Sequence, residues 1–418
     1  MYMIKFDESV YEKLILLRPF IKIKKVLNAI KQIANSKDEQ SILKKTFTTY
    51  NQVFREINRD SSEYASMSLA AMVENGSLTL EQLDEIMFII AEDSLFNSYI
   101  YKLSNEELET NGQRLINWKL PINNKILDNI GKKSNKDFII CGYRLTESSP
   151  GVVESLRLTM IDSRQHQIYD KNDDITYDIV YPTIVEFDFR RQLLHIRTQE
   201  VENFVNTDER FSTMSGRIKN TLDFIESFQK PISYKKILNF KEILFDIEEN
   251  LLKDVREKID KELESFKKPV RSFCNAIDKK YTKRNDTIPT VDYVKTSIQT
   301  IIAMSIPRNP LGDIVGIRFR NNAERKNQYS EITILDKQNH CISTDNLYWL
   351  NLAVLLDVKS VEFLKLILFI DSQSSIVNLD FSLETGNVKL LKNTPGQGGV
   401  MPNQIKYDSV LNELSKFF

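Results

Sequence analysis

His166 and His340 stand where side chains could do chemistry, because each follows an aspartate by four positions, Asp162 and Asp336. An imidazole titrates near neutral pH, and a carboxylate that orients it makes a general base or a metal ligand. Cys141 and Cys341 lie near enough in sequence to complete an imagined ligand cluster. Four residues of extended chain, however, separate two side chains by about 13 Å. Only a turn would fold each carboxylate back, and Asp-Ser-Arg-Gln and Asp-Lys-Gln-Asn are good turn tetrads. The spacing predicts that each aspartate caps a turn and each histidine begins the next strand.

A second candidate is the pair Glu186 and Asp188, which share a strand face with Arg190 on the same alternation. Paired carboxylates can hold a divalent metal beside a catalytic lysine. The lysine's place is taken here by Arg190, and a guanidinium does not deprotonate to act as a base. A solvated strand face is the simpler expectation. The loop from Thr394 to Val400 is glycine-rich but lacks the Gly-Lys-Ser/Thr of a phosphate loop, and the next helix starts several residues later. Common hydrolase and dinucleotide signatures are absent as well. No catalytic residue, metal ligand or cofactor is assigned.

The strongest patch for a ligand is DKKYTKRND, residues 278–286, directly after a helix carrying Lys267, Lys268 and Arg271. Positive charge around an aromatic suits phosphate contact combined with base stacking. Lys279, Lys280, Tyr281, Lys283 and Arg284 are therefore the candidate nucleic-acid-binding residues, with Arg190 and Arg191 at a hairpin tip as their extension. The plainer reading is a solvated loop balanced by the acid-rich segment 246–264.

The elements that must position these groups follow from pattern. In 418 residues there is room for two or three domains. Apolar content of 41 % and charged content of 28 % are ordinary for a globular chain. The net charge of −1, from 57 basic and 58 acidic residues, gives no whole-chain field for DNA. Three dispersed cysteines without a CxxC argue against a disulfide framework or zinc ribbon, and favour a reducing compartment. The opening MYMIKFDESVYEK is not a secretory signal. The apolar tract Tyr348 to Ile370 is broken by Asp357, Lys359, Glu362 and Lys365, which a membrane span would not carry. A cytoplasmic protein without membrane insertion is expected.

The chain also reads as built twice over: residues 138–168 lie without a gap on 312–342 at an offset of 174. Identities fall at Ile140/Ile314, Gly142/Gly316, Arg144/Arg318, Thr159/Thr333, Asp162/Asp336, His166/His340 and Ile168/Ile342. Both segments alternate apolar and polar residues on either side of a polar turn, the signature of a hairpin. A further hairpin pattern follows each, at 184–197 and 376–391, and a helix-like insert at 344–357 explains the wider spacing of the second.

Elsewhere the periodicity is helical. Ser36 and Asp38 read as a break and an N-cap, and Thr79-Leu-Glu-Gln82 as an expected capping box before a buried stripe of Leu80, Leu83, Ile86, Met87 and Ile90. Leu252, Val255, Ile259, Leu263 and Phe266 form a heptad-like seam that Pro269 ends.

The fold class is thus α+β: a helical N-terminal domain (1–136), a first β-rich module (137–198), a helical connector (199–305), and a second β-rich module with a terminal helix (306–418). Such paired platforms suit a non-enzymatic binding protein, a nucleic-acid-binding or complex-assembly subunit. The Lys, Ile and Asn content of an AT-rich genome suggests a phage-defence or mobile-element setting. The competing expectations are a metal-dependent nuclease using Glu186, Asp188 and His166, and a purely protein-binding scaffold dimerised through the seam.

Overall fold

The computed structural model describes residues 4–104, 113–132, 134–171, 174–200, 203–205, 207–281, 288–305, 313–322, 328–370, 373–392 and 401–418. The fold is α+β, with a helical N-terminal region preceding antiparallel sheet. The chain divides into two compact units, Met1–Lys235 and Lys236–Phe418. No helix among the described residues is long and apolar enough to cross a membrane.

The first unit opens with α1 (Glu8–Ile15), α2 (Ile23–Ile33), α3 (Lys37–Arg55), α4 (Ser61–Glu74) and α5 (Leu80–Glu92). Two of their starts are the ones the sequence predicts. Ser36 accepts the Glu39 backbone N–H, and Thr79 and Gln82 exchange both bonds of a capping box. Of the expected α5 stripe, Leu83, Ile86, Met87 and Ile90 are buried, each stabilising by about 1.5–3 kcal/mol relative to exposure, whereas Leu80 in the first turn is 52 % exposed.

The sheet follows as β1 (Asn97–Leu103), β2 (Phe138–Ser149), β3 (Val152–Asp162), β6 (Pro182–Asp188) and β7 (Leu193–Thr198), in the antiparallel order β1-β7-β6-β3-β2. A three-stranded sheet pairs β5 (Ile175–Ile179), β4 (His166–Asp170) and β8 (Phe204–Val205). Short α6 (Gln113–Trp118), α7 (Glu209–Ser212) and α8 (Met214–Glu226) complete the unit. Strand β1 lies inside the stretch expected to be helical. Its residues are buried on both faces, apart from Lys102, so no alternation betrays it.

Cross-strand partners sort the sheet into two faces. Leu156, Phe187 and Leu194 form one apolar row, and the Trp118 ring lies 5.8 Å from the Phe187 ring. The opposite face carries the row Arg144, Arg157, Glu186 and His195, and α5 supplies glutamates to it.

After β9 (Tyr234–Lys236), which falls at the division, the second unit contains α9 (Phe240–Leu263), α10 (Lys267–Lys280), α11 (Thr290–Ser305), β10 (Asp313–Arg320), β11 (Glu331–Leu335), α12 (Asn346–Leu350), α13 (Leu352–Val358), β12 (Phe363–Ile370), β13 (Gln373–Ser382), β14 (Thr385–Leu390) and α14 (Gln404–Leu414). Its strand order is β11-β10-β12-β13-β14. The helical stretch 199–305 is therefore shared: α7 and α8 belong to the first unit, and α9 to α11 belong to the second.

The gap-free repeat needs correction. Both segments form hairpins, but the next strand joins on β3 in the first unit and on β10 in the second. What recurs is a four-strand meander, β2-β3-β6-β7 and β10-β12-β13-β14, in which β12 takes the place of β3. Strand β12 shows no sustained alternation in sequence, because all of its residues except Lys365 are apolar. The rows then correspond closely. Arg144, Arg157, Glu186 and His195 match Arg318, Phe363, Asp380 and Asn387. In both meanders the outer strand has a register shift immediately before the glycine, between Ile140 and Gly142 and between Ile314 and Gly316.

A side chain at Gly142 would place its Cβ 2.2 Å from Asn124 Oδ1 and 2.7 Å from the Phe88 ring. At Gly316 the nearest atom is a terminal methyl carbon of Leu335, at 2.6 Å, on a side chain that is exposed and free to swing. Gly142→Ala is therefore expected to cost about 1–3 kcal/mol by overpacking, and Gly316→Ala clearly less. Urea titration of both variants checks this; equal losses would contradict it.

Candidate nucleic-acid interface

Helix α10 is fastened to the second unit by a thin stripe. Val270 and Cys274 are buried and Ile277 is half-buried, three to four residues apart. The remaining positions face water, including the large aromatics Phe266 (47 % exposed), Phe273 (57 %) and Tyr281 (61 %) that lie on it or at its ends. Lys267, Lys268, Arg271, Lys279 and Lys280 are exposed on the same helix, with Asp278 as its one acid. Lys267 is paired with Glu264 at 3.1 Å, and Asp278 accepts the Thr290 hydroxyl. Lys279 and Lys280 sit in the last turn, where the helix dipole favours cations. The Lys280 ammonium lies 5.4 Å from the Tyr281 ring centre. Beside the helix opens a cleft of about 660 Å³, lined by apolar residues such as Leu263, Val270 and Ile288, by Lys267, Arg271 and Lys295, and by the acids Asp260, Glu264, Asp292 and Asp357.

Of the residues expected to bind nucleic acid, Lys279, Lys280 and Tyr281 thus form one exposed cluster. Lys283 and Arg284 lie outside the described residues, as does the loop Thr394–Val400. Arg190 and Arg191 belong to the first unit. Arg190 is exposed and pairs with Glu154 at 3.3 Å. Arg191 turns its guanidinium inward onto Asp188, which also accepts the Arg191 backbone N–H at 3.0 Å. Only Arg190 of the two presents its charge to solvent.

Glu186 and Asp188 are not a solvated strand face: both are buried. Glu186 accepts from Arg157 at 3.0 Å and from Arg197 at 3.2 Å. Glu92 of α5 then bridges Arg157 at 3.0 Å and Arg144 at 2.7 Å, and Glu85 holds Arg144 at 2.7 Å. Glu85, Glu92, Arg144, Arg157 and Arg197 carry no signal of this in the sequence, because their pairing depends on which strands become neighbours. His195 stands opposite Glu186, and burial lowers its pKa, leaving the imidazole neutral at pH 7. Glu186 and Asp188 are thereby spent on arginine. Among the described residues, no group of three His, Cys, Asp or Glu side chains is placed to hold a metal.

Both Asp–His pairs do meet. His166 Nε2 lies 2.8 Å from Asp162, and His340 Nδ1 lies 3.2 Å from Asp336. Asp336 caps its turn as expected, accepting the backbone N–H groups of Gln338 and His340 at 2.6 and 3.2 Å. Asp162 instead ends β3 and takes a two-pronged bond from Arg217, at 3.0 Å to each oxygen. His166 is buried behind Phe211 and is part of this staple. The Cys141 thiol is buried in the core, and desolvation pushes its pKa up to about 12. The heptad-like seam is largely internal, with Leu252, Ile259 and Leu263 buried, Val255 half-buried and only Phe266 exposed.

Burial alone would raise the Glu186 pKa, but the charges of Arg157 and Arg197 override it and hold the carboxyl far below the usual carboxylate range. A depressed folded pKa gives stability that is fully present above the unfolded value of about 4.3, and lost as pH falls through the folded value. Glu186→Gln is expected to cost roughly 3 kcal/mol or more at pH 7, with the gap from wild type narrowing as the pH is lowered through the unfolded value. Denaturant titrations across that range test this; wild-type stability for the variant at pH 7 would contradict it.

No family model, curated protein or solved structure matches the chain. What it does must be read from its own side chains.

Proposed function

We propose that this is a non-enzymatic cytoplasmic binding protein whose second unit grips the phosphate backbone of nucleic acid through α10, as a nucleic-acid-binding or complex-assembly subunit of a phage-defence or mobile-element system. The observation that carries this reading is the surface of α10. Apolar aromatic side chains are left in water among lysines, where burying them in the fold would have been favourable. Cations supply contacts to phosphate that any sequence offers, and rings supply a stacking surface that any base accepts. The setting rests on composition alone, and the cytoplasmic location on cysteine usage.

The two chemistries separate in experiment. Replacing Lys279, Lys280, Lys283 and Arg284 together by alanine is expected to weaken binding of a fluorescein-labelled single-stranded oligonucleotide uniformly across sequences. The slope of log affinity against log salt should shrink by roughly 0.7 per lost phosphate contact. Tyr281→Ala should leave that slope unchanged while costing about 1–3 kcal/mol, the worth of one stacked base. Wild-type protein that binds neither DNA nor RNA at low salt overturns the proposal.

A further inference from the structure

The hairpin β10–β11 ends the strand order of the second unit, and no strand among the described residues pairs with the outer edge of β11. Asn321 donates its backbone N–H to the Ser330 carbonyl at 3.1 Å, and Asp336 donates to that of Val315 at 3.3 Å. Both bonds keep the register that sets Phe319 opposite Ile332 and Ile317 opposite Ile334. Bonded and non-bonded pairs alternate along an antiparallel ladder. Ile332 and Ile334 therefore bond to β10, while Glu331, Thr333 and Leu335 turn N–H and C=O away from it. Those outward groups have no partner among the described residues, and all three side chains are exposed.

The first unit treats its outermost strand, β2, differently. Lys125 donates its backbone N–H to the Cys141 carbonyl at 2.8 Å, and Asn124 Oδ1 accepts the Tyr143 N–H at 3.2 Å. Strand β11 lacks the usual safeguards as well. Sheet edges are ordinarily blunted by lysine, proline or a bulge. The sequence EITIL holds neither residue, and its pairing with β10 runs without a register shift. Apolar surface lies beside it. Ile334 shares a cleft with Met304, and Ile301, Met304, Leu347 and Leu350 are exposed on α11 and α12, which pack together.

We infer that β11 pairs antiparallel with β11 of a second copy of this chain, about a two-fold axis at Thr333, so that the sheet runs on from one copy into the other. The strand's own sequence selects this occupant. With Thr333 opposite Thr333 of the second copy, Glu331 falls opposite Leu335, and every outward N–H and C=O of the strand finds a partner. On the other face Ile332 meets Ile334 of the second copy, twice over, in the non-bonded pairs where side chains approach nearest. No like charges face each other. Moving the axis to Ile332 would leave Leu335 outside the ladder. Two-fold closure also consumes the edge and stops the assembly at a dimer. Stable interfaces bury about 800 Å² per partner, more than five paired residues supply, and the exposed side chains of α11 and α12 provide the flank. This surface is separate from the lysines of α10 and rests on nothing proposed for them.

Sedimentation velocity on the full chain should show a monomer–dimer equilibrium that shifts with concentration. Thr333→Pro removes an N–H that points away from β10, so the ladder within the chain keeps its bonds, as edge prolines allow. Losing two symmetric bonds should weaken association at least roughly tenfold. Crosslinking reads the register without touching the backbone. At the axis the two Cα atoms stand about 5.5 Å apart, within disulfide range, so Thr333→Cys should give a covalent dimer under mild oxidation. Glu331→Cys should not, because its two copies lie about 14 Å apart along the strands. The native cysteines are buried and do not compete. Wild-type chain that stays monomeric at the highest concentration reached overturns the inference. So does a dimer that Thr333→Pro leaves unchanged, or one in which Glu331→Cys crosslinks as readily as Thr333→Cys.

Discussion

Arg157 faces Glu186 across β3 and β6, and the arrangement of the first unit depends on that pairing. Side chains alternate between the two faces of a strand, so a register slip of one residue would send Arg157 to the face that carries Leu156, Phe187 and Leu194. A buried guanidinium without its carboxylates is far costlier than the pair is favourable. The ion pairs therefore add little net stability and instead make alternative registers prohibitive. Glu92 extends the constraint to α5, since it must satisfy Arg144 and Arg157 together. Helix and sheet are fixed on each other by charge geometry as well as by apolar packing.

The same constraint explains why the candidate chemistry of Glu186 and Asp188 resolves into architecture. Carboxylates that could serve a metal are held by arginines, and the buried His195 is kept neutral beside them. Asp162, His166 and Arg217 form a second staple of the same kind. In the second unit the equivalent row keeps the scaffold but loosens the charge network, with Phe363 in place of Arg157 and a half-exposed Asp380. A platform that is closed in one unit is left open in the other.

Local physics was legible in the sequence. The Ser36 cap, the Thr79–Gln82 box and the α5 stripe follow from neighbours three and four residues apart, and they are present apart from Leu80, which is exposed. The hairpins β6–β7 and β13–β14 and the insert at α12 and α13 were likewise written in alternation and periodicity. Strand β1 was not, because a strand buried on both faces loses the alternation that identifies it; strand β12 was not, because all but one of its residues are apolar although its burial alternates. The arginine–glutamate network was invisible for a different reason: Glu92, Arg157 and Glu186 are distant in sequence and meet only through strand order. The exposed cluster Lys279, Lys280 and Tyr281 was readable as composition, whereas the inward turn of Arg191 depended on the hairpin geometry around Asp188.

Chemistry at the surface of α10 is the central functional claim, and photocrosslinking addresses it whatever base sequence the protein prefers. Wild-type protein would be irradiated with 4-thiouridine- or 4-thiothymidine-substituted oligonucleotides at low salt, and the adducts mapped by mass spectrometry. The account expects crosslinks concentrated in peptides spanning Phe266 to Tyr281, lost as salt rises. Adducts confined to the first unit, or none at all under conditions where the oligonucleotide is retained, would contradict it.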